Sequence, residues 1–568
     1  MKKLSKVIAL LLATLLLLSG CKTEPGPVSS AEQTSIQDTE ETEPNSEQPG
    51  TDTQPVTEPI ESTNDNSSET ETEAPIQELF DFGGYAVSSS TNEATAAGIQ
   101  ILEKGGNAID AAVAVALALG VTEPYSSGLG GSGVMVVYDP KEEKAYSLDY
   151  YASAGAAKTN TDYVGVPGYL AGLQDALDRW GTMSMKEVIA PAIKLADKGF
   201  PATALFARRL TYSAKLSQNP AFAGIREGDT VVQKELAKTL KLIRDEGTSV
   251  FYTGKIAQDI TDACSLTMAD LGSYHVYCED ALKSKFRGTS IYTTTAPTSG
   301  VVTSQMLTAA DVLKVPNPRK DPNGYLDVMK LATQIGYKTR RNKLVDPRFY
   351  TFKGKYLVSR KYVKKLIEKA QNETLELFEP DPERRCTTQF AVIDQNGMLV
   401  CVTNTLSDNW GGYIYVDGFY LNNTLSNFNA KGKNAYEPLK RPRTHFSPLI
   451  AVGEDHFCLA IGSPGGDAIP KVVSQVLIDV LQNGTDLQTA VDQGRYFFDD
   501  RGYLCLESTT GTPSLIDLNK ISHRYYFSSS HVVFGCTAIV GYDPKEGIVA
   551  VSDSRRDGSD SKIVRNDK

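Results

Sequence analysis

The chain has 568 residues, 41% hydrophobic and 22% charged, with a formal net charge of −11 at pH 7. This is ordinary globular composition, with enough apolar content for a large core. Residues 22–77 carry fourteen Asp/Glu against one Lys, a net −13 that leaves +2 for everything else, and three lysines among the first six residues supply +3 of that. The remainder is nearly neutral and has no basic stripe, which excludes nucleic acid as a partner.

The first element is "MKKLSKVIALLLATLLLLSGCKTEP", a basic start followed by an apolar run from Val7 to Leu18. A bilayer takes about 20 apolar residues, so this run reads as an export signal rather than a span. Leu18-Ser19-Gly20-Cys21 resembles a bacterial lipobox, which implies that residues 1–21 are a lipoprotein signal and that Cys21 carries lipid. Residues 22–78 are almost entirely Thr, Glu, Ser, Pro, Gln, Asn and Asp. Such a segment cannot bury enough apolar surface to offset its ordering entropy. It is expected to be an extended, disordered spacer between a membrane anchor and a domain on the extracytoplasmic face.

From about residue 79 the sequence becomes continuous α/β. "TNEATAAGIQILEKGGNAIDAAVAVALALGV" predicts two helices, the first capped by Thr91 or Asn92 and stopped at Gly105-Gly106, the second capped by Asn107. The second is apolar nearly all round and should be deeply buried. Gly128, Gly130 and Gly133 in "SSGLGGSGVMVVYDP" match GxGxxG, but a strand follows where a dinucleotide site needs a helix. Close backbone packing is the better reading. "TMSMKEVIAPAIKLADKGF" predicts an amphipathic helix ended by Gly199, and "YLVSRKYVKKLIEKAQN" a basic surface helix. Besides Cys21 there are seven cysteines, an odd number without disulfide-scaffold density, and the pairing of Cys264 with Cys278 is left open. No CxxC pair, HExxH or His/Cys cluster occurs, so neither a metal nor another cofactor is expected.

Further on, "RRCTTQFAVIDQNGMLVCVTNTL" predicts a hairpin of a half-buried strand, a turn and an alternating return strand. A two-residue loop pairs residue i with 793 − i and sets Thr388 opposite Thr405. A three-residue loop pairs i with 792 − i and sets Thr387 there. One residue of slip flips the face. Threonine is favoured in strands, and cross-strand threonine pairs are common, so the hydroxyls alone decide nothing.

From about residue 80 onward the chain resembles the γ-glutamyltranspeptidases, a family of N-terminal-nucleophile hydrolases. The likeness rests on "GGNAIDAAVAVALALGVTEPYSSGLGGSG", "VGVPGYLAGL", "PTSGVVTSQML", "CTTQFAVID", "VTNTLS", "GFYLNN", "IGSPGGDAIPKVV" and "SDSRRDGSDSKI", in the family's order. It implies an α+β fold, a four-layer αββα sandwich of two stacked sheets between helices. It also implies a precursor that cuts itself between Cys386 and Thr387, giving a large subunit of residues 79–386 and a small one of residues 387–568. Thr387 is then the nucleophile, its own α-amine the base, Thr405 the supporting threonine, and Gly465-Gly466 the oxyanion hole. The substrate is a small-molecule or peptide amide.

The family's substrate-binding positions depart from its pattern. Tyr151 stands where an Arg holds the substrate α-carboxylate, Asn427 where an Asp holds the α-amine, Ser407 where an Asn follows the second Thr, and Thr444-His445 where a Ser-Ser pair touches the carboxylate. The segment between Phe428 and Arg441 is short for a lid. Three functions are compatible with this: a γ-glutamyl transferase or glutathione hydrolase, an acylase of the same mechanism for a non-glutamyl or polymeric amide, and an inactive binding lipoprotein. Retention of the threonines and the Gly pair weighs against the last.

Overall fold

A computed structural model of the chain describes residues 80–372, 386–499, 502–508, 516–529 and 534–566. The export signal, Cys21 and the acidic spacer lie outside the described residues. In chain order the strands of the two main sheets are β1 (Gly84–Ser89), β2 (Ser132–Asp139), β3 (Lys144–Tyr150), β4 (Tyr277–Asp280), β5 (Leu282–Phe286), β6 (Thr289–Thr293), β7 (Cys386–Ile393), β8 (Leu399–Ser407), β9 (Leu449–Val452), β10 (Cys458–Gly462), β11 (Ala538–Asp543), β12 (Gly547–Ser552) and β13 (Asp560–Arg565). Among the described residues one sheet has seven strands in the order β13-β1-β7-β8-β2-β3-β4, and the other has six in the order β12-β11-β10-β9-β6-β5.

The layers follow from the two-residue period of strand side chains. In β7 and β8, Ala391, Ile393, Leu399 and Cys401 point one way and meet Ile450, Cys458, Ala460 and Val540 of the second sheet. Phe390, Val392, Val400 and Val402 point the other way, into a cluster with α1 (Asn92–Glu103), α2 (Ala108–Thr122) and α3 (Tyr169–Trp180). On the far side Leu449, Ala451, Leu459 and Ile461 pack under α4 (Gly300–Val312), α5 (Pro322–Lys343) and α6 (Ile469–Asn483). The result is the αββα sandwich. β7 and β8 are therefore buried at every residue, rather than half-buried as their alternation suggested. Both faces carry a layer, and the alternation only sorts side chains between two cores.

Local signals account for the elements that hold the site. Thr91 caps α1, and Asn107 with Asp110 forms a capping box on α2. Burial of α2 is nearly complete. The helix expected over residues 182–199 breaks instead into Met185–Val188 and Ala190–Lys198. Pro191 has no N–H with which to continue the first ladder, but it fits the first turn of the second. The basic helix lies at Arg360–Asn372. All seven described cysteines are free, Cys264 and Cys278 included. Both sheets join strands from before and after residue 386, and the main cores draw residues from both portions of the chain.

Candidate active site

The hairpin takes the three-residue register. Leu399 pairs with Ile393 and Asn404 with Thr388, and then the register shifts so that Ser407 opposes Cys386. Thr387 and Thr405 sit at this irregularity, where a bulge re-aims side chains out of the ladder. The Thr405 hydroxyl donates to the Cys386 carbonyl oxygen, which belongs to the peptide bond joining Cys386 to Thr387. The Ser407 N–H donates to Thr405 Oγ1 at 2.8 Å. Ser407 has φ 76°, a left-handed conformation costly for a residue with a Cβ, and this hydrogen bond helps to hold it.

Thr388 has a different job from Thr387. Its hydroxyl donates to Glu123 Oε2 at 2.6 Å, and Tyr125 Oη donates to Glu123 Oε1 at 3.0 Å. Glu123 is the C-cap of α2, where the helix dipole disfavours a carboxylate. The opposing charge is Arg556, whose Nε lies 2.9 Å from Glu123 Oε1. Arg556 Nη1 donates to the Thr387 carbonyl oxygen at 2.7 Å, and its Nη2 to Ser126 Oγ at 3.0 Å. Burial opposes the Arg556 charge, but Glu123 and its neighbours hold its pKa above the ordinary arginine value. Burial also pushes the Cys386 thiol up, which keeps it neutral. That thiol lies 3.2 Å from Ser126 Oγ and 3.0 Å from the Tyr125 carbonyl oxygen.

The segment carrying Arg556 is fixed by buried ion pairs. Asp553 meets Arg495 and, at 3.2 Å, Arg555, which also binds Glu507 at 2.6 Å. Burial works against the Asp553 charge, yet the two arginines hold its pKa below the usual carboxylate value.

Gly465 and Gly466 lie between β10 and α6, with φ of 132° and 58°. A Cβ on Gly465 would stand 3.2 Å from the Gly535 Cα, so both conformation and space call for glycine. Gly465 and Thr387 line one cavity of about 230 Å³, together with Cys386 and Arg556. The glycine-rich loop before β2 packs as expected: a Cβ on Gly131 would lie 2.5 Å from the Thr405 carbonyl oxygen.

Three of the divergent positions meet each other. Asn427 Nδ2 donates to Tyr151 Oη at 3.0 Å and to Ser407 Oγ at 3.3 Å. Tyr151 follows β3, is fully buried, and meets Phe446 edge-on at 5.4 Å. The nearby Arg441 is committed elsewhere, 2.6 Å from Asp149 Oδ2 and 4.6 Å above the Tyr277 ring. Thr444 and His445 are buried on the segment entering β9: the Thr444 N–H donates to the Pro297 carbonyl at 3.1 Å, and His445 lies 6.0 Å from the Tyr337 ring. Residues 429–440 fold into a packed turn, with Lys440 Nζ donating to the Lys433 and Ala435 carbonyls at 2.7 and 3.1 Å.

Sequence reasoning did not single out Glu123, Ser126, Arg209 or Arg556. Glu123, Ser126 and Arg556 lie within quoted motifs, but only burial distinguishes them from surface charges and hydroxyls. Among the described residues no group of three or more His, Cys, Asp or Glu side chains is placed to hold a metal ion.

The same sandwich is found in solved structures. The crystal structure of cephalosporin acylase from Bacillus halodurans superposes with a TM-score of 0.73 at 22% identity, covering 89% of this chain and 99% of that one. This likeness shows that the two chains share a fold. The family model described as Gamma-glutamyltranspeptidase matches residues 94–563, and the chain belongs to that family. It is accordingly an enzyme, of the family's hydrolase and acyltransferase class. It is 34% identical to the glutathione hydrolase proenzyme of Bacillus subtilis (strain 168), over 81% of this chain and 88% of that protein. It is 32% identical to the capsule biosynthesis protein CapD proenzyme of Bacillus anthracis, over 85% of this chain and 92% of that protein.

Proposed function

We propose that the chain is a self-processing acylase whose nucleophile is Thr387 and whose acyl group lacks the zwitterionic end of a γ-glutamyl donor. In processing, the Thr387 Oγ attacks the Cys386 carbonyl carbon while the Thr405 hydroxyl holds the carbonyl oxygen. The C–N bond breaks, the Thr387 nitrogen takes the hydroxyl proton, and water hydrolyses the resulting ester. The products are a Cys386 carboxylate and a small subunit, residues 387–568, that starts with a free Thr387 amine. That amine then serves as base for the hydroxyl of its own residue. A substrate amide passes its acyl group to the Thr387 Oγ, its amine leaves with the proton, and water or a second amine resolves the ester. The Gly465 and Gly466 N–H groups are the proposed donors to the oxyanion. The proenzyme names of the relatives support processing, and the Thr405 contact with Cys386 supports its position.

The acyl-group reading is carried by the contact of Asn427 with Tyr151. A γ-glutamyl end presents a carboxylate and an ammonium, and a phenol cannot replace the bidentate Arg that would meet the first. Each lost charge-assisted contact costs about 1.5–3 kcal/mol, so glutathione turnover should fall by roughly 10²–10⁴-fold relative to a zwitterion-binding site. Lipidation at Cys21 would place this domain on the outer face of a bacterial membrane, behind the acidic spacer. Among the described residues no helix is long and apolar enough to cross a membrane.

One preparation tests the reading. Full-length protein is expected in the membrane fraction, split before Thr387, with weak turnover of γ-glutamyl-p-nitroanilide and glutathione; Thr387→Ala is expected to remain whole and inactive. A wild-type chain that stays uncut removes the nucleophile assignment. Glutathione turnover at the level of the Bacillus subtilis relative removes only the acyl-group assignment.

A further inference from the structure

The cavity at Thr387 has a cationic wall that the acyl chemistry leaves unused. The helix Ala204–Leu210 brings Arg208 and Arg209 to it, and the segment after β12 brings Arg555 and Arg556. Arg555 and Arg556 are neutralised by Glu507, Asp553 and Glu123. Arg209 is not. It is only 6% exposed, its Nη1 donates to Tyr212 Oη at 3.0 Å, and its Nε has no hydrogen-bond partner. Its guanidinium lies 5.2 Å from the Tyr212 ring centroid and 5.9 Å from that of Tyr125, contacts that attract a cation without neutralising it. Among the described residues neither Arg208 nor Arg209 makes an ion pair with a carboxylate. Asp557 also lines the cavity, and its Oδ2 accepts the Leu205 N–H at 3.3 Å. The Arg209 backbone is anchored by Trp410, whose Nε1 donates to its carbonyl at 3.0 Å.

A buried guanidinium without a counter-ion is costly, and an anion in the cavity that the Arg209 side chain lines relieves that cost. We propose that Arg209, with Arg208 at the exposed rim, binds a carboxylate of the substrate inside the Thr387 cavity. Tyr151, Ser407 and Asn427 do not line this cavity, so the carboxylate sits apart from the neutral corner they form. The chain thus selects a substrate that is anionic at a position different from that of a γ-glutamyl α-carboxylate. This inference rests on the Thr387 reading.

The carboxylate can belong to the acyl group or to the amine, and two comparisons on the processed, full-length enzyme separate these sources. Glutaryl-p-nitroanilide against pentanoyl-p-nitroanilide varies the acyl side; glycylglycine against glycylglycinamide as acceptor varies the amine side. We expect the carboxylate-bearing member to be preferred at least about ten-fold in one comparison, the size of one charge-assisted contact. Arg209→Gln should abolish that preference. Arg209→Lys keeps the charge but loses the planar fork, and should reduce the preference several-fold. No preference in either comparison overturns the proposal, whatever the variants do. So does a preference that survives Arg209→Gln or, if that variant fails to fold, one that Arg209→Lys leaves unmoved. An uncut chain that turns over no donor overturns the Thr387 reading, and this one with it.

Discussion

Two polar clusters meet at the end of β8, and they are built on opposite principles. Around Thr387 and Thr388 the structure invests in charge: Glu123 against Arg556, and behind them Asp553 and Glu507 against Arg495 and Arg555. Around Tyr151 it uses an amide, a phenol and a hydroxyl joined by neutral hydrogen bonds. Ser407 belongs to both, its N–H holding Thr405 and its Oγ touching Asn427. A buried ion pair penalises the loss of either partner heavily, whereas a neutral cluster can be rebuilt at small cost. The cluster beside the peptide bond at Thr387 is therefore locked, and the cluster around Tyr151 is free to vary.

The sharpest way to break this contrast is to remove a charge from the locked side. Glu123→Gln leaves the buried Arg556 without its counter-ion, weakens the Thr388 contact, and should cost about 3–5 kcal/mol. Denaturant unfolding of the Thr387→Ala precursor, with and without the second change, isolates this cost from processing. A loss below about 1 kcal/mol, the level of an exposed pair, would show that water reaches the cluster.

A smaller effect is expected from the Thr405 hydroxyl, which the shared Ser407 holds against the Cys386 carbonyl. Thr405→Val keeps the shape of the side chain and removes the hydroxyl from the Cys386 carbonyl. Cleavage before Thr387 should slow by about 10²–10³-fold, the usual effect of losing one oxyanion donor. A time course of chain splitting measures it, and an unchanged rate would leave Thr405 a purely structural strand residue.

The contrast also explains what could be read in advance. The hairpin was legible because "QNG" and the alternation constrain it, and one of the two candidate registers is the one observed. The bulge after Asn404 was not legible, since neither the turn nor the alternation signals it, and the glycine-rich loop that lies close to the Thr405 carbonyl comes from outside the hairpin. Tyr151, Ser407 and Asn427 were marked by resemblance, but their mutual contact depends on three segments far apart in sequence. The charged side was least visible. Glu123 and Arg556 look like surface residues until the fold buries them, and a sequence carries no direct sign of burial for one charged residue. The break at Ile189 has only Pro191 to signal it, because the apolar period on either side is continuous.

The last test is to convert the neutral corner into a charged one. Tyr151→Arg alone places an unpaired guanidinium in a fully buried position, and Asn427→Asp alone does the same with a carboxylate. Each single change should destabilise the protein and leave γ-glutamyl-p-nitroanilide turnover no better than in wild type. Together the two charges can pair, because the side chains they replace already touch at 3.0 Å. The double variant should therefore recover stability relative to either single one, a coupling that a double-mutant cycle measures directly. A γ-glutamyl end must then compete with that internal ion pair for both partners. The gain in kcat/KM should be correspondingly small, about ten-fold or about 1.4 kcal/mol, rather than the full worth of two charge-assisted contacts. If the double variant pairs and folds but gains nothing, the acyl end of the donor does not reach the Tyr151 corner, and specificity lies on the Arg209 wall alone.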